Sequence, residues 1–234
     1  MKFAVAFSGG KDSILALHEM VEAGHKPVAL LVMYRQEAER SWVHGIEPEL
    51  LAAIGEALEI PMIRCGAKSE TYDEDMERGL RQTQELGAEA CVFGDIDTPA
   101  HREWDETRCA AVGMDAILPL WKRDRVDIVR KTQDLGYQCL IKCVHNDILP
   151  VSWLGQPLSH THIEQMLDQG IDACGENGEY HTVVVDGPLF SHAIAVENRG
   201  LVLLGQITAA DLTVHHVSHP PERSTSQNGV GFFL

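Results

Sequence analysis

The stretch FAVAFSGGKDSILAL, from Phe3 to Leu17, decides the fold. It begins with an apolar run that predicts a buried strand, and from Ile14 onward apolar side chains recur at helical spacing. Ser8-Gly9-Gly10 lies between the two elements, and glycines let a backbone turn sharply and approach a ligand closely. The free N–H groups and positive dipole end of the helix that follows predict an anion site.

The spacing of this loop excludes two common phosphate-binding patterns. A Walker A loop places four residues between its first glycine and Gly-Lys-Ser/Thr, and a dinucleotide loop reads Gly-x-Gly-x-x-Gly. The loop here reads Ser-Gly-Gly-Lys-Asp-Ser instead and resembles the pyrophosphate (PP) loop of the N-type ATP pyrophosphatases, which split ATP between its α and β phosphates. An ordinary strand-to-helix turn is the alternative. The resemblance implies that pyrophosphate is held by Ser8, Gly9, Gly10, Lys11, Asp12 and Ser13.

Length and composition place the chain among globular proteins. At 234 residues it can bury one large core or two small ones, and no apolar run approaches the ~20 residues of a membrane span. Because the chain begins directly in a core strand, we expect no signal peptide, no membrane partner and a cytoplasmic location. Six cysteines without a Cys-x-x-Cys pair predict reduced core residues.

The charge argues against a nucleic-acid partner. The chain carries 35 acidic against 19 basic residues, a net charge of −16. Nucleic-acid binders neutralise phosphates with a basic face. A tRNA-modifying PP-loop enzyme is therefore the least favoured of the functions that the loop allows.

Strand and helix patterns alternate along the first half of the chain. This predicts an α/β fold, a Rossmann-like (HUP-type) doubly wound parallel sheet, followed by a smaller mixed α+β domain. The predicted domains are an ATP-binding domain (1–125), a substrate-binding and catalytic domain (126–220) and a tail (221–234). In the second domain, Ala193–Val196 and Leu201–Leu204 are predicted to pair around Asn198-Arg199-Gly200. A polar loop before Gly45, with Trp42 and His44, is a candidate flap.

The ends of the predicted strands supply further ligand contacts. In a doubly wound sheet, strands one and four are neighbours at the switch point where ligands bind. We therefore expect Leu31 and Met33 to contact adenine through their backbone, and Gly94 to lie at the nucleotide. Asp95 follows the fourth strand and, with Asp12, is a candidate Mg²⁺ ligand; the alternative for Asp95 is a helix cap.

The helix after Thr98-Pro99 contains two pairs of residues spaced by four. His101 with Asp105, and Arg102 with Glu106, are predicted to pair on its surface.

A second dense segment reads CGENGEYHT, from Cys174 to Thr182. Asn177-Gly178 is a strong hairpin signal, and a hairpin without function is one reading. The other is functional, because Glu176 and Glu179 flank the turn and carboxylates can position an amine or bind a cation.

The two motifs, with Pro119-Leu120-Trp121 and the segment DGPLF from Asp186, make the chain resemble the diphthine–ammonia ligase family of PP-loop enzymes. The similarity extends from Met1 to about Ala195. It implies that ATP, with Mg²⁺, adenylylates a carboxylate and that ammonia then displaces AMP to form an amide. It implies catalytic roles for Glu176, Glu179, His181 and Lys11. Substrate-binding roles are implied for Arg102, Glu106, Asn177, Tyr180 and Thr182.

The chain departs from that family's pattern in two segments that are expected to recognise the substrate. Asn177 and His181 replace a glycine and a glutamate of the usual Glu-Gly-Gly-Glu-Tyr-Glu-Thr, and Ala100-His101-Arg102 replaces Tyr-Gln-Arg. The family's ATP chemistry is therefore a firmer expectation for this chain than the family's acceptor. The departures indicate a divergent bacterial-type branch. No glutaminase-like segment is visible, so ammonia is expected free or from a partner; a homodimer is possible. The main alternative function is a nucleotide-binding regulatory module without turnover.

Overall fold

The first sheet contains the chain's N-terminal strands. The computed structural model describes residues 1–35, 40–41 and 45–215. Strands of this sheet are β1 (Lys2–Ala6), β2 (Lys26–Arg35), β3 (Arg40–Ser41), β4 (Met62–Ala67), β5 (Ala90–Val92) and β6 (Asp115–Ile117).

Strand order confirms the doubly wound α/β fold. β1 pairs in parallel with β2 on one side and β5 on the other, while β4 lies beyond β2 and β6 beyond β5. The connections reverse direction on either side of β1, so the switch point lies at the end of this strand. β3 pairs antiparallel with the end of β2.

Helices connect the strands where the sequence patterns place them. They are α1 (Lys11–Glu22), α2 (Pro48–Ala57), α3 (Tyr72–Glu85), α4 (Pro99–Ala111), α5 (Arg125–Asp134) and α6 (His160–Asp168). Proline occupies the first turn of α2 and α4, where its missing N–H costs nothing. Ser159 caps α6 through its hydroxyl, which accepts the N–H of His162.

The second sheet is antiparallel, and one predicted hairpin in it was wrong. It consists of β7 (Gln138–His145), β8 (Tyr180–Asp186), β9 (Val196–Leu204) and β10 (Ile207–Val214), in the order β8-β7-β10-β9. β9 continues through Asn198-Arg199-Gly200 with a shift in its register against β10, and the chain reverses only at Gly205, whose φ is +67°. β9 then pairs with β10, a strand that the sequence analysis did not predict. Its buried alanines and leucine show why it is a strand.

The two sheets share buried apolar contacts. One cluster of buried apolar residues extends from β1 and α1, with Phe3 and Ile14, to β8 and β10 of the second sheet, with Val184 and Leu212. A smaller cluster, including Leu31 and Leu80, covers the other face under α3 and α4. All six cysteines are buried and free, which confirms the expectation of reduced core residues. Within the described ranges, no helix is long and apolar enough to cross a membrane.

Two sequence predictions lie wholly or partly outside the described residues. These are the flap side chains Trp42 and His44, and the tail from residue 221. The boundary between residues 125 and 126 stays a prediction.

Candidate active site

The phosphate loop connects β1 to α1 at the switch point. Gly9 has a φ of +83°, and a Cβ placed there would meet Ile46 Cδ1 at 2.6 Å, so only glycine fits. Ser13 Oγ donates to the Gly10 carbonyl at 2.9 Å, and the Gly10 N–H donates to Ser8 Oγ at 3.3 Å. These bonds hold the loop around the N-terminus of α1, whose first-turn N–H groups have no acceptor within the helix. This arrangement suits an anion.

Lys11 supplies a buried positive charge beside the loop. Its side chain is almost fully buried, and Nζ lies 2.7 Å from Asp12 Oδ2 and 5.7 Å from the centre of the Tyr180 ring. Burial is the largest single influence and disfavours the charge, but Asp12, together with Cys174, Tyr180 and Glu176, outweighs it, so the pKa of Lys11 lies well above its usual value. The ammonium group therefore stays charged at neutral pH.

A cavity of about 370 Å³ joins the phosphate loop to the second sequence motif; we call it the phosphate cavity. Its walls come from the loop, from the residues after β5 and from the start of β8. The lining includes Ser8, Lys11, Asp12, Ser13, Gly94, Asp95, His101, Gly175, Glu176, Gly178, Tyr180, His181 and Thr182. The structure thus brings together two motifs that lie more than 150 residues apart in the sequence.

A second cavity, of about 410 Å³, opens beside the first; we call it the apolar cavity. Its walls are the ends of β1, β2 and β5 together with α3 and α4. The lining includes Phe7, Leu31, Met33, Tyr72, Met76, Phe93, Trp104 and Asp105. Ser8, Asp95 and His101 line both cavities. Leu31 and Met33 therefore lie where the sequence placed an adenine contact, and that contact stays a prediction.

Residues 172–179 form a turn that differs from the expected hairpin. No strand precedes Asn177-Gly178 in the described residues 171–179. The Asp172 carboxylate organises the turn by accepting the N–H groups of Cys174 at 2.9 Å and Glu176 at 3.1 Å. A side chain, rather than a strand partner, thus reverses the chain. We call residues 172–179 the carboxylate turn.

Glu179 lies inside this turn. Its side chain is buried and accepts the Asn177 N–H at 3.0 Å and the Asn177 Nδ2 at 3.1 Å. The phosphate cavity, as lined by the described residues, includes Glu176 but neither Glu179 nor Asn177. The two acids were expected together at the base of a hairpin, yet they point to different environments. Glu179 shapes the turn, and Glu176 faces the cavity.

Glu176 lies close to Asp12 and Cys174. One ligand atom of each residue lies within 4.8 Å of the other two. Desolvation and then the Asp12 charge raise the pKa of Glu176 to about 7. Burial raises the pKa of Cys174, so it remains a thiol, which is a poor metal ligand. The carboxylates Asp12 and Asp95, both lining the phosphate cavity, are the oxygen donors that suit Mg²⁺.

The two predicted pairs on α4 had different outcomes. Arg102 Nε donates to Glu106 Oε1 at 2.7 Å, as predicted, but both side chains are exposed, and among the described residues neither lines either cavity. The predicted pairing of His101 with Asp105 was wrong: His101 Nδ1 lies 2.9 Å from Asp95 Oδ1. Asp105 faces inward, where burial and then the charge of Asp95 raise its pKa to about 9. A neutral carboxyl group beside Asp95 results.

The remaining predicted site residues lie on β8. Tyr180, His181 and Thr182 all line the phosphate cavity. The pKa of His181 is lowered by burial and then by the charge of Lys11, so its imidazole is neutral at pH 7. Tyr180 Oη donates to the Ala173 carbonyl at 2.7 Å, which ties β8 to the carboxylate turn.

Arg125 is a site residue that the sequence did not reveal. Its Nε and Nη2 donate to the two carboxylate oxygens of Asp97 at 2.7 and 2.8 Å, and Nη1 donates to Asp172 at 2.5 Å. It therefore ties the loop after β5 to the carboxylate turn. The sequence offered no signal for this role, since an arginine at the start of a helix is common.

We expect Arg125→Met to reduce turnover at least about tenfold, because small displacements of a site residue can slow a reaction a hundredfold. ATP affinity should remain near the wild-type value, because the phosphate loop itself is untouched. Arg130→Met on the same helix is the control; it removes an exposed ion pair with Glu164. Steady-state rates and ATP titrations measure both quantities. Equal turnover in the two variants would contradict a positioning role for Arg125.

The fold and site together define a class. A Rossmann-like sheet with a Ser-Gly-Gly-Lys-Asp-Ser loop at its switch point, opening on a cavity walled by a second sheet, identifies a PP-loop ATP pyrophosphatase. The family model of the diphthamide synthase N-terminal domain matches residues 1–116, and that of its C-terminal domain matches residues 124–205. The chain belongs to the diphthamide synthase family.

Several relatives of the chain are named diphthine–ammonia ligase. The chain is 26% identical over 227 residues to the diphthine–ammonia ligase of Bos taurus, covering 86% of this chain and 85% of that protein. It is 26% identical over 228 residues to the human diphthine–ammonia ligase, covering 87% and 85%. With the Schizosaccharomyces pombe protein of the same name the identity is 25%, over 86% of this chain and 37% of the longer relative.

A solved structure also resembles the chain. It is described as a predicted subunit of tRNA methyltransferase from Methanocaldococcus jannaschii, with a TM-score of 0.44 and 13% identity. The match covers 83% of this chain and 100% of the other.

Proposed function

We propose that the protein is an ATP-dependent, AMP-forming ligase that adenylylates a carboxylate and converts it to an amide with ammonia. The observation that carries this proposal is the shared phosphate cavity, in which the PP loop and Glu176 face one space. A module that only binds a nucleotide needs no acidic turn at its phosphate loop. Membership of the diphthamide synthase family supports the same reaction.

The nucleotide would lie across the two cavities. The apolar cavity suits the adenine, with Leu31 and Met33 in its wall, and the N-terminus of α1 suits the pyrophosphate. Asp12 and Asp95 would hold Mg²⁺, which neutralises phosphate charge when bound. Lys11 adds a fixed positive charge next to the leaving group.

The reaction needs no protein nucleophile. The acceptor carboxylate attacks the α-phosphorus, pyrophosphate leaves, and ammonia then attacks the acyl carbon and expels AMP. Ammonium, the main form at neutral pH, must lose a proton before it attacks. Glu176, with a pKa near 7, is suited to accept that proton at the cavity wall.

The segments expected to bind the acceptor are those in which this sequence departs from the family's pattern. We propose that His181 takes part in acceptor selection, because it lines the phosphate cavity and its neutral ring replaces a family carboxylate. His181→Glu should then change the preferred acceptor more than it changes ATP use. Diphthine, for which the relatives are named, is the first acceptor to compare.

The test is a screen of carboxylic acids, including diphthine on its protein, with ATP, Mg²⁺ and ammonium. We expect AMP and pyrophosphate to form in equal amounts, dependent on one class of acid. ADP and phosphate as products would contradict the proposal. ATP binding without turnover on any acid would favour the regulatory module instead.

We also predict that the protein does not bind tRNA specifically. With a net charge of −16, its affinity should stay within the non-specific range of about 10⁻⁴ to 10⁻⁶ M at physiological salt. Fluorescence anisotropy with labelled tRNA measures this, and single-stranded DNA of equal length is the comparison. A submicromolar complex with tRNA would restore the tRNA-modifying alternative.

A further inference from the structure

Strand β8 of the second sheet contacts the phosphate loop through two hydrogen bonds. The Lys11 N–H donates to Thr182 Oγ1 at 3.0 Å, and the Val184 N–H donates to the Gly9 carbonyl at 2.8 Å. Thr182 is almost fully buried, and the bond joins residues 171 positions apart. The loop is thus attached to the second sheet on either side of Gly10.

The first of these bonds occupies a donor that would otherwise be available to an anion. Lys11 is the first residue of α1, and the opening N–H groups of a helix are those that bind phosphate. Because Thr182 accepts the Lys11 N–H, the next donors in the turn, from Asp12 and Ser13, are those left for phosphate oxygens. A change in this bond would alter both the direction and the number of the donors facing the ligand.

We propose that Thr182 is a positioning residue that sets the geometry of the pyrophosphate cradle from the second sheet. The proposal rests on the proposed function, since it assumes that the loop binds the β- and γ-phosphates of ATP. It replaces the substrate contact that the sequence suggested for Thr182 with a contact to the loop itself.

This attachment also links the two parts of the active site. His181 lies next to Thr182 on the same strand and lines the cavity in which the acceptor would bind. An acceptor that shifts β8 therefore shifts the Lys11 N–H as well. Such coupling is reciprocal, so ATP binding would change acceptor affinity by the same factor.

The experiment compares Thr182→Val with Thr182→Ser. Valine keeps the shape of threonine and removes the acceptor oxygen, whereas serine retains the oxygen. Thr208→Val is the control, because it removes a 2.6 Å side-chain bond to Asn146 from a buried threonine of the same sheet. Calorimetry measures the binding of three probes to each protein: a non-hydrolysable ATP analogue, inorganic pyrophosphate and AMP.

We expect Thr182→Val to weaken the ATP analogue and pyrophosphate at least about tenfold, because the first turn of α1 loses the contact that aligns the N–H groups of Asp12 and Ser13 with the phosphates. AMP lacks the β- and γ-phosphates, so its affinity should stay within about twofold. Thr182→Ser should restore most of the loss, and Thr208→Val should bind all three probes as the wild type does.

Two results would overturn the role of Thr182. One is wild-type affinity of Thr182→Val for the ATP analogue. The other is equal loss of AMP and ATP binding, including loss through unfolding, because the contact would then serve the whole fold. A wild-type protein that binds none of the three probes would instead refute the proposed function, so the two failures are distinguishable.

Discussion

Replacing Glu176 by glutamine is expected to reduce amide formation at least about a hundredfold, within the usual range for one acid–base group. Glutamine keeps the size of the side chain but cannot accept a proton at neutral pH. ATP affinity should change by less than about threefold, because the phosphate loop is held by other residues. Rapid-quench measurement of the amide, together with ATP titration, separates the two quantities.

The pH dependence gives a second readout of the same group. The pKa of Glu176 is raised to about 7 by desolvation and by Asp12, so the group is protonated and inactive at lower pH. Amide formation should therefore rise as the pH increases through about 7. ATP–pyrophosphate exchange, which precedes the attack of ammonia, should lack a midpoint near pH 7. Glu176→Gln should also lack that midpoint in the amide step, where only the steady increase from the deprotonation of free ammonium should remain.

An exposed glutamate on α4 provides the control. Glu103→Gln makes the same chemical change outside both cavities and should retain wild-type rates. Full activity in Glu176→Gln would show that the carboxylate turn takes no part in the reaction. A comparable fall in exchange and amide formation would assign Glu176 to adenylylation instead.

Gly94→Ala is expected to have the second large effect. An added Cβ would lie 2.9 Å from the Asp12 carbonyl carbon and 3.0 Å from the Ser13 nitrogen. Both are backbone atoms of the first turn of α1, so the turn that binds the phosphates must move. We expect ATP to bind at least about tenfold more weakly, and the protein to lose about 1–3 kcal/mol of stability through overpacking.

The same substitution elsewhere provides the comparison. Gly55 lies in α2, and a Cβ there would meet the flexible end of Met62 at 3.3 Å. Gly55→Ala should therefore retain ATP binding, since the contacts of the added Cβ lie away from the phosphate loop. Calorimetric ATP titration and thermal unfolding of both variants decide the point. If Gly94→Ala binds ATP normally, the phosphates do not lie against that turn.

Much of the first sheet could be predicted because each of its elements has a recognisable pattern within a short stretch of sequence. The central strands β1 and β5 are buried on both faces and therefore appear as short apolar runs, and prolines mark the starts of α2 and α4. The PP loop could be identified for the same reason, since its six residues are contiguous. The pattern failed for the last two strands, because β9 is exposed and β10 contains polar residues. A turn was therefore predicted at Asn198-Arg199-Gly200, inside β9, and the turn at Gly205 was not predicted.

The sequence by itself determined the class of protein, the residues of the phosphate loop and the existence of a second motif rich in acids. Only the tertiary structure decided how those residues are used. Glu176 faces the cavity while Glu179 holds the turn, and Asp105 is neutral because it is buried beside Asp95. Side-chain direction and desolvation depend on neighbours from distant parts of the chain. The bonds of Arg125 to Asp172 and of Lys11 to Thr182 join residues 47 and 171 positions apart, and no local pattern contains them.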